Sequence, residues 1–199
     1  MKVKEPVTEY VKLDKEGSYT YLDYLRFQFK ERVELFRGKV VKMSPAPNRI
    51  HQTIMSNLGR ELGNFFYKKS CQYFPSPFDV RLFPLKSGKD NTVVQPDACV
   101  VCDEKKLDKH ACAGAPYLVI EIFSPGNLRK ELDIKFRLYE EAGVKEYWIV
   151  EPANKTILLY RSLDKTFIAS KPFVEGEDVE SILFPVLKVP VTEIFLNVK

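Results

Sequence analysis

Apolar positions along the chain fall into short blocks with two different periods. Between Arg49 and Lys68, His51, Met55, Leu58, Leu62 and Phe65 recur on one side of a 3.6-residue wheel, which predicts a helix with Asn48 as its cap. A second helix is predicted over Leu128 to Ala142, closed by Gly143 just past its C-terminus. The most apolar block, Tyr117 to Phe123, reads as a strand and, being apolar on both faces, as a central one. Thr20 to Phe29 predicts a short helix, and Arg32 to Met43 two strands about an Arg37-Gly38 turn. Phe78 to Phe83 and Val93 to Val101 predict two more strands joined by a polar turn, with Asp103 to Lys109 a loop or short helix. Glu146 to Val150, Thr156 to Tyr160 and Phe167 to Ser170 read as short strands before a proline-broken tail. Residues 1–17 lack apolar periodicity and predict a loose arm, while 18–199 read as one mixed α/β domain without repeats.

Composition narrows the class. Hydrophobic residues make up 45% of the chain and aromatics 13%, enough for a packed core. The net charge of +4 arises from 31 bases against 27 acids, which permits nucleic-acid contact without requiring it. No apolar run approaches the ~20 residues that span a bilayer. Met1 to Pro6 lacks the apolar stretch of a secretory signal, so a cytoplasmic protein with reduced thiols is the expectation. Cys99, Cys102, His110 and Cys112 have the make-up of a zinc set. Cys99 lies in an apolar run, however, and residues three apart on a strand face opposite sides. A turn after Val101 would be needed to bring the set together.

Three charges sit where the pattern calls for apolar residues, and each needs a partner, an ion or water. With Leu128 as zero and about 100° per residue, Lys135 falls at about −20°, in the middle of the stripe formed by Leu132, Tyr139 and Ala142. Arg129, Asp133, Arg137, Glu140 and Glu141 point the other way. A snorkelling lysine or an ion pair with Glu131 or Glu121 also accounts for that position. Strand alternation places Glu121 with Val119 and Phe123 on one face. Asp97 follows Pro96 at the entry to an apolar run, where a plain strand-entry acid is the simple reading. If Asp97 and Glu121 share one face of neighbouring strands, they suit a hard divalent cation such as Mg²⁺.

Pro96-Asp97, Glu121 and a lysine resemble the PD-(D/E)-x-K nuclease constellation, with Phe123 standing where its lysine usually falls. A wider set follows in order: Gly114-Ala115-Pro116, Glu121 to Pro125, Lys135, Tyr139, Ala142-Gly143-Val144 and Glu146 to Val150. With Glu34-Leu35, Gly38, Met43-Ser44-Pro45 and His51 upstream, roughly residues 18–165 resemble the Uma-two family. The resemblance implies a restriction-endonuclease-like core, a mixed β-sheet flanked by α-helices, here with an additional N-terminal helix and hairpin. It implies Asp97 and Glu121 as ligands of Mg²⁺ or Mn²⁺ and Lys135 as a catalytic lysine moved onto the following helix. Glu34 resembles the N-terminal acid of related sites. Glu151-Pro152 and Glu131 depart from aspartates usual at those positions.

His51 is either a satisfied core histidine or a site-lining group, and Asp79 either a further ligand or a partner of Arg81. Lys86, Lys89, Lys105, Lys106, Lys109, Arg129 and Lys130 fall where they could contact phosphates, or simply face solvent. The expectation is a Mg²⁺-dependent endonuclease acting on DNA, as a homodimer and without a membrane partner. The alternative is a non-catalytic nucleic-acid-binding or protein-interaction domain that keeps the fold.

Overall fold

The computed structural model describes residues 18–27, 29, 31–43, 48–123 and 129–198, so the expected arm at 1–17 lies outside the described residues. Thr20 caps α1 (Tyr21–Tyr24) through a capping box with Asp23, and the helix is shorter than the apolar pattern suggested. A hairpin follows, β1 (Val33–Phe36) and β2 (Lys39–Lys42). Its turn residues Arg37 and Gly38 both have positive φ, +50° and +82°. A side chain on Gly38 would also meet the Ser18 hydroxyl at 2.4 Å, so glycine is required there. Asn48 accepts the His51 N–H at 2.9 Å and starts α2 (Arg49–Phe66), whose buried stripe includes Ile54, Leu58, Leu62 and Phe66.

The chain then builds two sheets alternately. They use β3 (Gln72–Pro75), β4 (Asp79–Arg81), β5 (Val93–Val94), β6 (Ala98–Val101), β7 (Ala111–Ala113) and β8 (Leu118–Ile122). After α3 (Arg129–Ala142) come β9 (Glu146–Glu151), β10 (Thr156–Leu163) and β11 (Thr166–Ala169). The tail forms a small hairpin, β12 (Asp178–Glu180) and β13 (Lys188–Pro190), and a last turn α4 (Val191–Ile194). The smaller mixed sheet runs β2-β1-β5-β4-β7 and the larger runs β11-β10-β9-β8-β6-β3. In the larger sheet β8 is central, parallel to β9 and antiparallel to β6.

Alternation along β8 sorts its side chains between two cores. Leu118, Ile120 and Ile122 pack with Ile54, Leu58, Leu62 and Trp148 on the α2 side. Val119 packs with Leu138, Tyr139 and Tyr147 on the α3 side. Glu121 shares the Val119 face by strand period and therefore looks towards α3.

Two expectations are corrected. The run Val93 to Val101 is not one strand: Val93–Val94 belongs to the smaller sheet and Ala98–Val101 to the larger. Pro96 supplies no N–H for a ladder, and the chain changes sheets across Gln95-Pro96-Asp97. The cysteines are not all reduced, because Cys71 and Cys102 form a disulfide. The antiparallel register pairs Gln72 with Val101, which sets these two cysteines opposite each other one step beyond. Cys102 is thereby removed from the considered zinc set, while Cys99 and Cys112 are free and buried. Among the described residues, no helix is long and apolar enough to cross a membrane.

Candidate functional site

The site forms where the sheet crossover meets β8 and α3. Extending the β6–β8 register by one step, from Ala98 opposite Ile120, places Asp97 opposite Glu121. Directly opposed residues of an antiparallel pair project from the same face. Asp97 Oδ2 accepts the Ile122 N–H at 2.7 Å, and its Oδ1 lies 3.0 Å from His51 Nε2. One carboxylate thus ties the first turn of α2 to the end of β8.

Lys135 points inward from α3, as its helical phase predicted. Its Nζ lies 2.9 Å from Glu121 Oε1 and 2.9 Å from Glu34 Oε1. One turn later, Tyr139 donates its hydroxyl to Glu121 Oε1 at 2.6 Å. Glu34 Oε1 also accepts the Gln95 N–H at 2.7 Å. Only 5% of Glu34, 3% of Glu121 and 7% of Lys135 is exposed, so these charges sit in a low-dielectric interior. The second oxygens of Glu34 and Glu121 make no hydrogen bond among the described residues.

Electrostatics follow from that burial. Glu121 is pushed up to about 7, chiefly because burial disfavours its carboxylate. Asp97 and Glu34 add to the shift, while Lys135 and the Tyr139 hydroxyl oppose it. Burial disfavours the Lys135 ammonium, but Glu121 and Glu34 overcome it and hold Lys135 above the ordinary lysine range. Burial also raises Tyr139, which keeps its proton as the donor to Glu121. Two carboxylates, Glu34 and Glu121, share the one ammonium, and Asp97 stands across from Glu121 on the next strand.

An oxygen-only, net-negative donor set has the chemistry a hard divalent cation requires. Among the described residues, however, no group of three or more His, Cys, Asp or Glu side chains is gathered closely enough to hold a metal ion. Here the Lys135 ammonium is the cation shared by Glu34 and Glu121. The carboxylates fit a divalent ion in kind, and holding one requires a rearrangement around that lysine.

Of the residues singled out in the sequence, Glu121, Lys135 and Glu34 meet directly, and Asp97 stands across from Glu121. His51 joins through Asp97, and its buried Nδ1 has no partner among the described residues. Asp79 is set back: its Oδ1 accepts Tyr24 Oη at 3.0 Å and Gln95 Nε2 at 2.7 Å. The considered Asp79–Arg81 pairing is absent, because Arg81 binds Asp90 through two bonds of 2.7 and 2.8 Å. Gln95 was missed. A glutamine before a proline breaks no pattern, so no sequence signal singled it out. Tyr139 stood out only as an apolar-stripe position, although its hydroxyl reaches the site. Lys86, Lys89, Lys105 and Lys109 are exposed, whereas Lys106 donates to the Ala115 carbonyl at 2.8 Å. The Arg129, Lys130 and Glu131 side chains lie outside the described residues.

Residues 19–192 match the Uma2 family model, whose description is putative restriction endonuclease. The chain is also similar to a solved structure described as a putative nuclease belonging to DUF820 from Anabaena variabilis ATCC 29413. That likeness has a TM-score of 0.71 at 18% identity and covers 89% of this chain and 97% of the other. At such identity it shows the fold. No curated protein matches the chain.

Proposed function

The chain belongs to the Uma2 family, and from that membership we propose that it is a divalent-metal-dependent endonuclease that hydrolyses phosphodiester bonds in DNA. One observation carries the reading: a buried lysine between Glu34 and Glu121, with Asp97 opposite on the next strand. Structural packing alone gives little reason to bury two carboxylates and an ammonium together beside a half-buried third acid, since their desolvation is costly. Asp97 and Glu121 would hold Mg²⁺ or Mn²⁺, which supplies Lewis-acid polarisation of a phosphoryl oxygen and acidifies a bound water.

The chain's own groups do the remaining work. Lys135 stays cationic through the physiological range and, released from one carboxylate, offers N–H donors to a phosphate oxygen. Tyr139 holds the Glu121 carboxylate in position from the helix side. His51 and the Ile122 amide fix both oxygens of Asp97, so that acid is oriented before any ligand arrives. Exposed Lys86, Lys89, Lys105 and Lys109 supply bases for phosphate contact, which gives affinity without sequence choice. Cutting both strands of a duplex calls for a second active centre, and a two-fold homodimer is the simplest way to provide it.

A second reading is favoured by one specific feature. Lys135 already neutralises both Glu34 and Glu121, as it would in a nucleic-acid-binding or protein-interaction domain that keeps the fold without the chemistry. Plasmid nicking separates the two. Purified protein with Mg²⁺ or Mn²⁺ is expected to convert supercoiled DNA to nicked circles, and Glu121→Ala to abolish it. Equal nicking by Glu121→Ala, or none by the wild type with either ion, overturns the nuclease assignment.

A further inference from the structure

At the end of α2 away from His51, the chain turns through a short loop that displays a ring and two ammoniums together. Tyr67, which closes the helix, is 72% exposed, more than any other aromatic residue among the described ones. Lys68 and Lys69 follow it, both exposed. Lys68 Nζ lies 5.1 Å from the centre of the Tyr67 ring, and Lys69 Nζ lies 3.1 Å from that of Phe65. Neither ammonium has a carboxylate partner among the described residues. Glu61, on the same helix, is engaged by Arg60 instead.

Two features set this loop apart from an ordinary solvated helix end. Lys68 has a φ of +59°, a left-handed backbone that is costly for a residue with a Cβ and free for glycine. A charged side chain is thus kept at a helix end where glycine is the relaxed choice. The loop is also held at both ends. Phe66 is buried, edge-on to Phe65 and Phe184 at 4.9 and 5.0 Å, and Cys71 is bonded to Cys102. A loop held before its partner arrives has less ordering cost to meet on binding.

An exposed ring beside unpaired ammoniums matches the base and phosphate of an unpaired nucleic-acid strand, whose base faces are open to stacking. The residues exposed beside Tyr67 along the chain, Asn64, Lys68, Lys69 and Ser70, are all polar. A membrane-binding helix face needs a broader apolar surface than one ring gives. We propose that Tyr67, Lys68 and Lys69 form a binding surface for single-stranded nucleic acid, with Tyr67 stacking on a base and the two lysines meeting phosphates. At about 1.5 Å of rise per residue, α2 sets Tyr67 roughly 24 Å from His51. The surface is therefore separate from the carboxylates and does not rest on how they are read.

Fluorescence anisotropy of a labelled oligothymidine strand with the whole chain, in the presence of a chelator, reads binding without cleavage. Tyr67→Ala is expected to weaken binding about fivefold or more, the scale for losing one base stack, and Tyr67→Phe to keep the wild-type affinity. Lys68→Gly combined with Lys69→Gln should lower the slope of log affinity against log salt by about 0.7 for each lysine removed. Glycine suits the left-handed backbone at position 68, so this variant is expected to fold, and its urea midpoint checks that. Unchanged affinity in Tyr67→Ala, or an unchanged salt slope in the folded double variant, overturns the surface. Binding of the wild type to anionic phospholipid vesicles but not to the strand also overturns it, and marks a membrane face instead.

Discussion

Lys135 Nζ lies 2.9 Å from Glu121 Oε1, joining the middle of α3 to the central strand inside the protein. The same ammonium is 2.9 Å from Glu34 Oε1 on β1 of the other sheet. One cation therefore ties together the two sheets and the helix between the core and the site. Because all three groups are almost wholly buried, none can be removed without stranding another.

Lys135→Met is expected to destabilise the fold by about 3–5 kcal/mol, the scale for removing one partner of a buried pair. The loss should shrink below the range around 7 in which Glu121 takes up a proton, since a neutral carboxyl needs no counter-ion. Added Mn²⁺ should return more stability to the variant than to the wild type, because it can replace the missing positive charge. Urea midpoints at two pH values, with and without Mn²⁺, measure all three effects. A variant as stable as the wild type at neutral pH contradicts the buried triad.

Glu121 gives the pH dependence its sign. Its folded value of about 7 stands above its ordinary 4.5, so the native state binds the extra proton. The stability contributed by that proton is fully present below 4.5 and is lost as pH rises through about 7. Glu121→Gln has no such proton to lose. Its urea midpoint, relative to the wild type, should therefore rise across this window. Parallel profiles for the two proteins would show that Glu121 does not titrate there.

The parts of this fold that read clearly from sequence are those whose pattern has one physical solution. The α2 stripe, the apolar β8 and the Arg37-Gly38 turn each allow a single local structure. Helical phase also placed Lys135 correctly, because one residue in a strong stripe must point inward. The crossover at Gln95-Pro96-Asp97 was less legible, since apolar runs on both sides of a proline look like one strand. Whether Val93 and Val100 lie in the same sheet depends on long-range pairing that local periodicity does not contain. Cys71 and Cys102 were opaque for the same reason: only the β3–β6 register sets them opposite each other.

His51→Ala should lower Mn²⁺ affinity about tenfold while leaving the fold nearly as stable, because it removes one of two contacts orienting Asp97. His51 Nε2 lies 3.0 Å from Asp97 Oδ1, while the Ile122 amide still holds Oδ2. His51→Gln places an amide N–H within similar reach and should recover much of the affinity. Calorimetry on the two variants checks this. Equal losses in both, or none in either, would mean that His51 does not act through Asp97.

Glu146 shows what an apolar pattern leaves undecided about a buried acid. Like Glu121 it lies in a strongly apolar strand, and it is fully buried. Its partners are of another kind: Oε1 accepts Trp148 Nε1 at 2.7 Å, and Oε2 accepts the Ile182 and Leu183 N–H groups at 2.8 and 3.1 Å. Ser181 Oγ adds a contact at 3.2 Å, so this carboxylate fastens the segment after β12 to the start of β9. Glu146→Ala strands these donors, each unmet one costing about 1–3 kcal/mol, and should lower stability by several kcal/mol. Amide exchange at Ile182 and Leu183 should accelerate, since their acceptor is gone. Mn²⁺ affinity of the folded fraction should stay at the wild-type level, the reverse of Glu121→Ala. If Glu146→Ala loses Mn²⁺ binding while its urea midpoint is unchanged, the division between a fastening acid and a site acid is wrong.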